Sequence, residues 1–147
     1  MRIARLLLLC ALLTACGSSS SHRLSKSEYA RRADAICARY QRLASSLAVP
    51  SNTIQLAIAA RGTLRLLDTA ISKLRRLRPP QDEQELAKRW LASLATLRRD
   101  VVKLRNRAEA NDLAGIHALV GPAQRHDRAS LSLAKKLGMN VCSRETG

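Results

Sequence analysis

Apolar residues recur along this chain with a helical period, broken three times by short polar or proline-containing stretches, and the pattern predicts four helices. In the first, Tyr29, Ala33, Ile36, Tyr40, Leu43 and Leu47 alternate spacings of four and three, so they line one face. It opens at Ser25-Lys26-Ser27-Glu28, a capping box in which the Ser25 hydroxyl and the Glu28 carboxylate each satisfy a free backbone N–H. Pro50 forbids its continuation. A second helix starts at Asn52 or Thr53, with Asn52 and Gln55 in capping-box register, and its stripe is Ala60, Leu64, Leu67, Ile71 and Leu74. Gly62 inside it costs about 1 kcal/mol against Ala, and either a close helix contact or a neutral accident accounts for it. Arg75, Arg76 and Arg78 crowd its last turn, where the helix dipole favours cations, and Pro79-Pro80 ends it.

The third helix has the cleanest stripe: Leu86, Trp90, Leu94, Leu97, Val101, Leu104 and Ala108. Asp82, Glu83 and Glu85 put negative charge at its positive end, and Asp82 with Glu85 is a candidate capping pair. Asn111-Asp112 closes this helix and caps the next. In the fourth, Leu113, Ile116, Leu119 and Val120 begin an apolar side that Leu131, Ala134 and Leu137 continue. Gly121-Pro122 lies between them, so this helix either kinks there or stops and restarts with Pro122 in a new first turn. Gly138 is a good C-terminal stop. Four helices with short connections favour an all-α, antiparallel up-down four-helix bundle over residues 25–142, with residues 143–147 expected to fray.

Composition agrees with helices. The chain has 147 residues, one domain's length, and is 46% apolar with no Phe, one Trp and two Tyr, so its core is built from Leu, Ala, Ile and Val. Residues 1–24 stand apart from this pattern. Arg2 and Arg5 precede an apolar run, Leu6 to Leu13, that is about half the length needed to span a bilayer as a helix. Leu13-Thr14-Ala15-Cys16 follows, and then the polar stretch Gly17-Ser18-Ser19-Ser20-Ser21-His22, whose composition reads as a flexible tether over residues 16–24.

The Leu13–Cys16 stretch resembles the lipobox of bacterial lipoprotein signal peptides. The resemblance implies cleavage before Cys16, which leaves residues 1–15 as the signal peptide, and a diacylglycerol on the Cys16 sulfur. The chain would then sit on the extracytoplasmic face of a bacterial cell membrane, with the membrane itself as its first partner. The alternative is an ordinary secretory signal cut elsewhere, with Cys16 incidental. Cys10 goes with the signal peptide. Cys37 and Cys142 are left as two thiols in an oxidising compartment, and a disulfide between them is the natural expectation. It requires helix four to stop part-way, or the tail after Gly138 to fold back along helix one.

A second resemblance rests on Tyr29 to Cys37 (YARRADAIC), the break Leu77-Arg78-Pro79-Pro80 and the ending Leu137-Gly138…Cys142. These are similar to the A-D-A-I-C, L-x-P-P and L-G-x-x-x-C motifs of a group of small exported actinobacterial helical proteins with no assigned activity. It supports the fold and the disulfide and carries no catalytic residue across.

The formal charge is +15. Inside a cell that balance would point to nucleic acid; on an exported chain it points to solvated polar faces, or to attraction toward anionic lipid headgroups and acidic wall polymers. Candidate chemistry is thin. No His-x-x-x-His or Glu-x-x-His pair offers a metal site, and no cofactor motif appears. The carboxylates at 82, 83 and 85 are explained by a helix N-terminus, and no catalytic residue is assigned. The expected function is a non-enzymatic binding or interaction module for anionic envelope components or an envelope protein. The alternatives are a structural or chaperone-like helical protein and, behind it, a small-ligand carrier or enzyme with polar groups converging around Tyr29, Tyr40, His126 and Asp127.

Overall fold

A computed structural model describes residues 23–144. Residues 1–22, which hold the expected signal segment, Cys16 and all of the expected tether but Arg23 and Leu24, lie outside the described residues, as do 145–147. The described chain is an all-α four-helix bundle: α1 (Lys26–Ser45), α2 (Thr53–Arg75), α3 (Gln84–Glu109) and α4 (Leu113–Lys136), with a single 3-10 turn, Gln81–Glu83, leading into α3. No helix among the described residues is long and apolar enough to cross a membrane.

Local chemistry sets most of the boundaries. The Ser25 side chain accepts the Glu28 N–H at the start of α1, but the Glu28 carboxylate turns to Arg32 instead of closing the box. At α2, Asn52 Oδ1 accepts the Gln55 N–H at 2.9 Å, while Gln55 Oε1 reaches one residue further back, to the N–H of Ser51, at 2.9 Å. The start of α3 departs from expectation. Asp82 does not cap it: residues 81–83 form the 3-10 turn, Pro80 N-caps that turn without a side-chain bond, and Glu83 pairs instead with Lys26 of α1. The carboxylate cluster therefore ties two helices together as well as meeting the dipole.

Helices α3 and α4 end in the same way. Asn111 takes a left-handed φ of 52°, its N–H donates to the Ala108 carbonyl, and that of Asp112 donates to Arg107 at 2.9 Å. At the end of α4, Gly138 has φ 78°, its N–H donates to Lys135 at 3.0 Å, and that of Met139 donates to Ala134 at 3.1 Å. Both are Schellman endings, which satisfy carbonyls a helix end would leave unpaired.

Helix α4 runs through Pro122 without a break, so stop-and-restart does not occur. Proline in a helix interior removes one donor and costs about 3 kcal/mol, and its ring also crowds the Cβ of the residue before it. Gly121 has no Cβ, which relieves that second conflict.

The largest fully buried side chains, Trp90, Tyr29, Leu137 and Met139, belong to one cluster with Ala30, Ala33, Leu74, Ala87 and Ala134. These residues come from the start of α1, the end of α2, the start of α3 and the end of α4, so the main core sits at one end of the bundle. Helix α3 packs extensively on both α2 and α4, whereas α1 meets α2 less extensively. The stripe of α1 accordingly surfaces along its length: Tyr29 and Ala33 are buried, Ile36 is half-buried and Leu43 is 41% exposed. Gly62 is explained by contact, since a Cβ there would meet the Leu47 side chain at 3.1 Å.

Candidate functional site

Asp34, Cys37 and Gln41 are spaced three and four apart, on one face of α1, and together they hold the tail that follows α4. Gly138 turns the chain back, and Cys37 and Cys142 form a disulfide with a Cα–Cα distance of 5.4 Å. Of the two routes open to this bond, the folded-back tail is the one used. The Asp34 carboxylate accepts three successive backbone N–H groups of the tail, from Asn140 at 2.8 Å and from Val141 and Cys142 at 2.9 Å. Gln41 Nε2 donates to the Val141 carbonyl at 3.3 Å. Hydrogen bonds to a charged group are worth about 1.5–3 kcal/mol, so Asp34 is a substantial second fastening beside the disulfide. Asp34 had no role in the sequence reading. The signal for it was the D of the A-D-A-I-C motif, one helical turn before Cys37, but the motif gave no hint of what an acidic side chain there would bind.

Cys16, the expected lipidation site, lies outside the described residues. Of the four polar residues expected to converge, Tyr29 lines a cleft whose other walls are different residues, and His126 is paired across to α3. His126 Nδ1 lies 2.7 Å from Oδ2 of Asp100, a buried carboxylate on α3, and this pair joins α3 to α4. His117 is exposed on α4. Among the described residues, no three His, Cys, Asp or Glu side chains are grouped as a metal would need.

Tyr29 does line a cleft, with different company. Helices α1, α2 and α3 meet at the clamped end around an open cleft of about 440 Å³. Tyr29, Leu77, Pro79 and Leu91 give it apolar walls, and Arg75 and Lys88 bring cations. Burial pushes the Tyr29 hydroxyl up to about 12, so it keeps its proton beyond the pH at which an exposed tyrosine ionises. The double proline break that ends α2 shapes this cleft, by swinging the chain across the end of the bundle before α3 begins.

The described chain begins beside the same cleft. Leu24, which composition alone placed in the tether, is half-buried against the core and its N–H donates to the Arg78 carbonyl at 3.0 Å. Arg23 Nη1 donates to Gln84 Oε1 at 3.2 Å and lies 3.5 Å from the Pro79 carbonyl. Elsewhere ion pairs bind neighbouring helices on the surface: Arg98 with Asp68, and Arg61 with Glu109. The Arg98 guanidinium holds the Asp68 carboxyl below its ordinary range, and the Gly115 N–H with Arg107 does the same for Asp112.

No protein family, curated protein or solved structure matches this chain.

Proposed function

We propose that this chain is a lipid-anchored lipoprotein on the extracytoplasmic face of a bacterial membrane, and that its bundle is a non-enzymatic module binding anionic envelope components or an envelope protein. The observation that carries this reading is the succession of Leu13-Thr14-Ala15-Cys16 and the Gly/Ser tether after a short apolar run with a basic start. A disulfide between Cys37 and Cys142 fits an oxidising compartment. The excess of Lys and Arg suits a surface that meets anionic lipid or wall polymer, and export keeps nucleic acid out of reach. The likeness to small exported actinobacterial helical proteins belongs to the same proposal.

The experiment is the intact mass and N-terminal sequence of the chain purified from a bacterial envelope. A chain starting at Cys16 with a diacylglycerol mass supports the proposal; one that retains Met1 and bears no lipid refutes it. Cys16→Ser tests the binding role separately: released into solution, the chain should be retained on anionic liposomes at low salt and lost as salt rises.

One observation favours a second reading, a helical interaction protein. Val49, Ile54, Ile58 and Leu113, at the end of the bundle remote from the disulfide, are each more than half exposed. Concentration-dependent association in analytical ultracentrifugation would favour it; a strict monomer at high concentration would weigh against it.

A further inference from the structure

The cleft at the clamped end has a composition that selects one kind of ligand. No acidic residue lines it. Its apolar surface comes from Leu77, Pro79 and Leu91, over the buried Tyr29, and its charge from Arg75 and Lys88, both exposed. Arg75 makes no ion pair among the described residues, and Lys88 has only a long 4.0 Å contact to the exposed Glu85, which a phosphate can replace. An apolar wall with two available cations and no carboxylate fits an anionic amphiphile. A volume of about 440 Å³ lies toward the small end of ligand sites. It has room for a headgroup phosphate, glycerol and the first carbons of an acyl chain, with the rest left outside.

The chain's own connectivity says where such a ligand would come from. Arg23 and Leu24 are bonded to Gln84 and to the carbonyl of Arg78, at the rim of the cleft. Six residues lie between Cys16 and Arg23, and the seven Cα–Cα steps this makes span at most about 25 Å when fully extended. A lipid on Cys16 therefore keeps the cleft within that distance of the bilayer. Lys73, Arg76, Lys135 and Lys136, in the last turns of α2 and α4 at this same end, are exposed and make no ion pair among the described residues. Attraction to an anionic leaflet acts within about 10 Å of the surface, so cations at this end, held on a short tether, can use it.

We infer that the cleft binds one anionic phospholipid of the anchoring membrane, its phosphate between Arg75 and Lys88 and its glycerol end against Leu77, Pro79 and Leu91. The inference takes its location from the lipoprotein proposal and its chemistry from the cleft. Bound in this way, the lipid would fix the bundle's orientation on the membrane, with the clamped end down and the opposite end outward.

The test is native mass spectrometry of the full chain, processed in a bacterial host and purified in neutral detergent, with dihexanoylphosphatidylglycerol, dihexanoylphosphatidylcholine and glycerol 3-phosphate as probes. The expected result is saturable binding of one phosphatidylglycerol, at least ten-fold tighter than phosphatidylcholine. Arg75→Gln with Lys88→Gln should weaken it about ten-fold, and Lys135→Gln with Lys136→Gln should leave it unchanged. All four side chains are exposed, so helicity measured by circular dichroism should not move. Equal binding of phosphatidylcholine, equal binding of glycerol 3-phosphate, equal loss in the second pair of substitutions, or no binding at all would each overturn the inference. These would indicate, in turn, an uncharged apolar slot, a free-phosphate site, diffuse charge, and no site. The same spectra report the mass on Cys16, so an unlipidated chain that still binds phosphatidylglycerol one-to-one removes the anchor and leaves the cleft standing.

Discussion

At one end of this bundle Tyr29, Trp90, Leu137 and Met139 are no more than 1% exposed, while at the other Ile54 is 72% and Ile58 59% exposed. The residues fully buried toward the far end are small, with Ala57, Ala60, Gly62 and Ala108 among them, whereas Leu56, Leu104 and Ile116 are only half-buried and Ile54, Ile58 and Leu113 are exposed. The clamped end is covered by something the far end lacks. Its tail turns at Gly138, lays Met139 into the core and is fastened to α1 by Asp34 and Cys37. All four helices carry apolar stripes over most of their length. A stripe defines a face but not its partner, and here the tail supplies the partner at one end only.

This difference is testable by mutation. Trp90→Ala should cost about 3–5 kcal/mol in chemical denaturation, whereas Ile58→Ala should stay within about 0.5 kcal/mol. Comparable costs would erase the contrast. Removing the disulfide by Cys37→Ser with Cys142→Ser should cost about 2–5 kcal/mol, because the bond closes a very long loop in the unfolded chain. The same loss should appear on adding reductant to the wild type. Asp34→Ala should cost about 1–3 kcal/mol, and more in the disulfide-free chain if the two fastenings share one tail. A double-mutant cycle measures that coupling; strict additivity would mean that they act independently.

Two smaller effects follow from pH. Tyr29 has its pKa raised to about 12 by burial, from an ordinary 10.0. The native state therefore holds a proton that the unfolded chain releases. The resulting stabilisation is complete below about pH 10 and is lost as pH rises toward 12. Tyr29→Phe should flatten this alkaline limb in a stability-versus-pH series, and an unchanged slope would contradict it. Asp68 and Asp112 have lowered pKa values, so their contribution is present above about pH 4 and lost as pH falls further. Both are surface groups, and Arg98→Met should remove only a slight part of the acid limb.

Much of the scaffold could be read from residue order. The caps at Ser25 and Asn52, the breaks at Pro50 and Pro79-Pro80, the stop at Gly138 and the Cys37–Cys142 pairing all rest on local or pairwise rules. Gly121-Pro122 was ambiguous because proline sets a penalty without saying whether tertiary packing exceeds it. Asp34 and the cleft were illegible for another reason. Asp34 acts on amides more than 100 positions away. The cleft walls come from α1, α2 and α3, so neither has a sequence spacing to detect. His126 was set beside its neighbour Asp127 in sequence, but its partner is Asp100, which only the packing of α3 on α4 brings near.

Amide hydrogen exchange of the native chain, resolved by residue, is the most direct measurement of how the two ends differ. Protection should be greatest around Ala33, Leu74, Trp90 and Ala134 and should fall by orders of magnitude toward Leu43, Ile54 and Leu113. Reducing the disulfide should lower the protected end toward the other. Uniform protection along all four helices, or slower exchange at the far end, would contradict a bundle whose stability is concentrated where the tail is clamped.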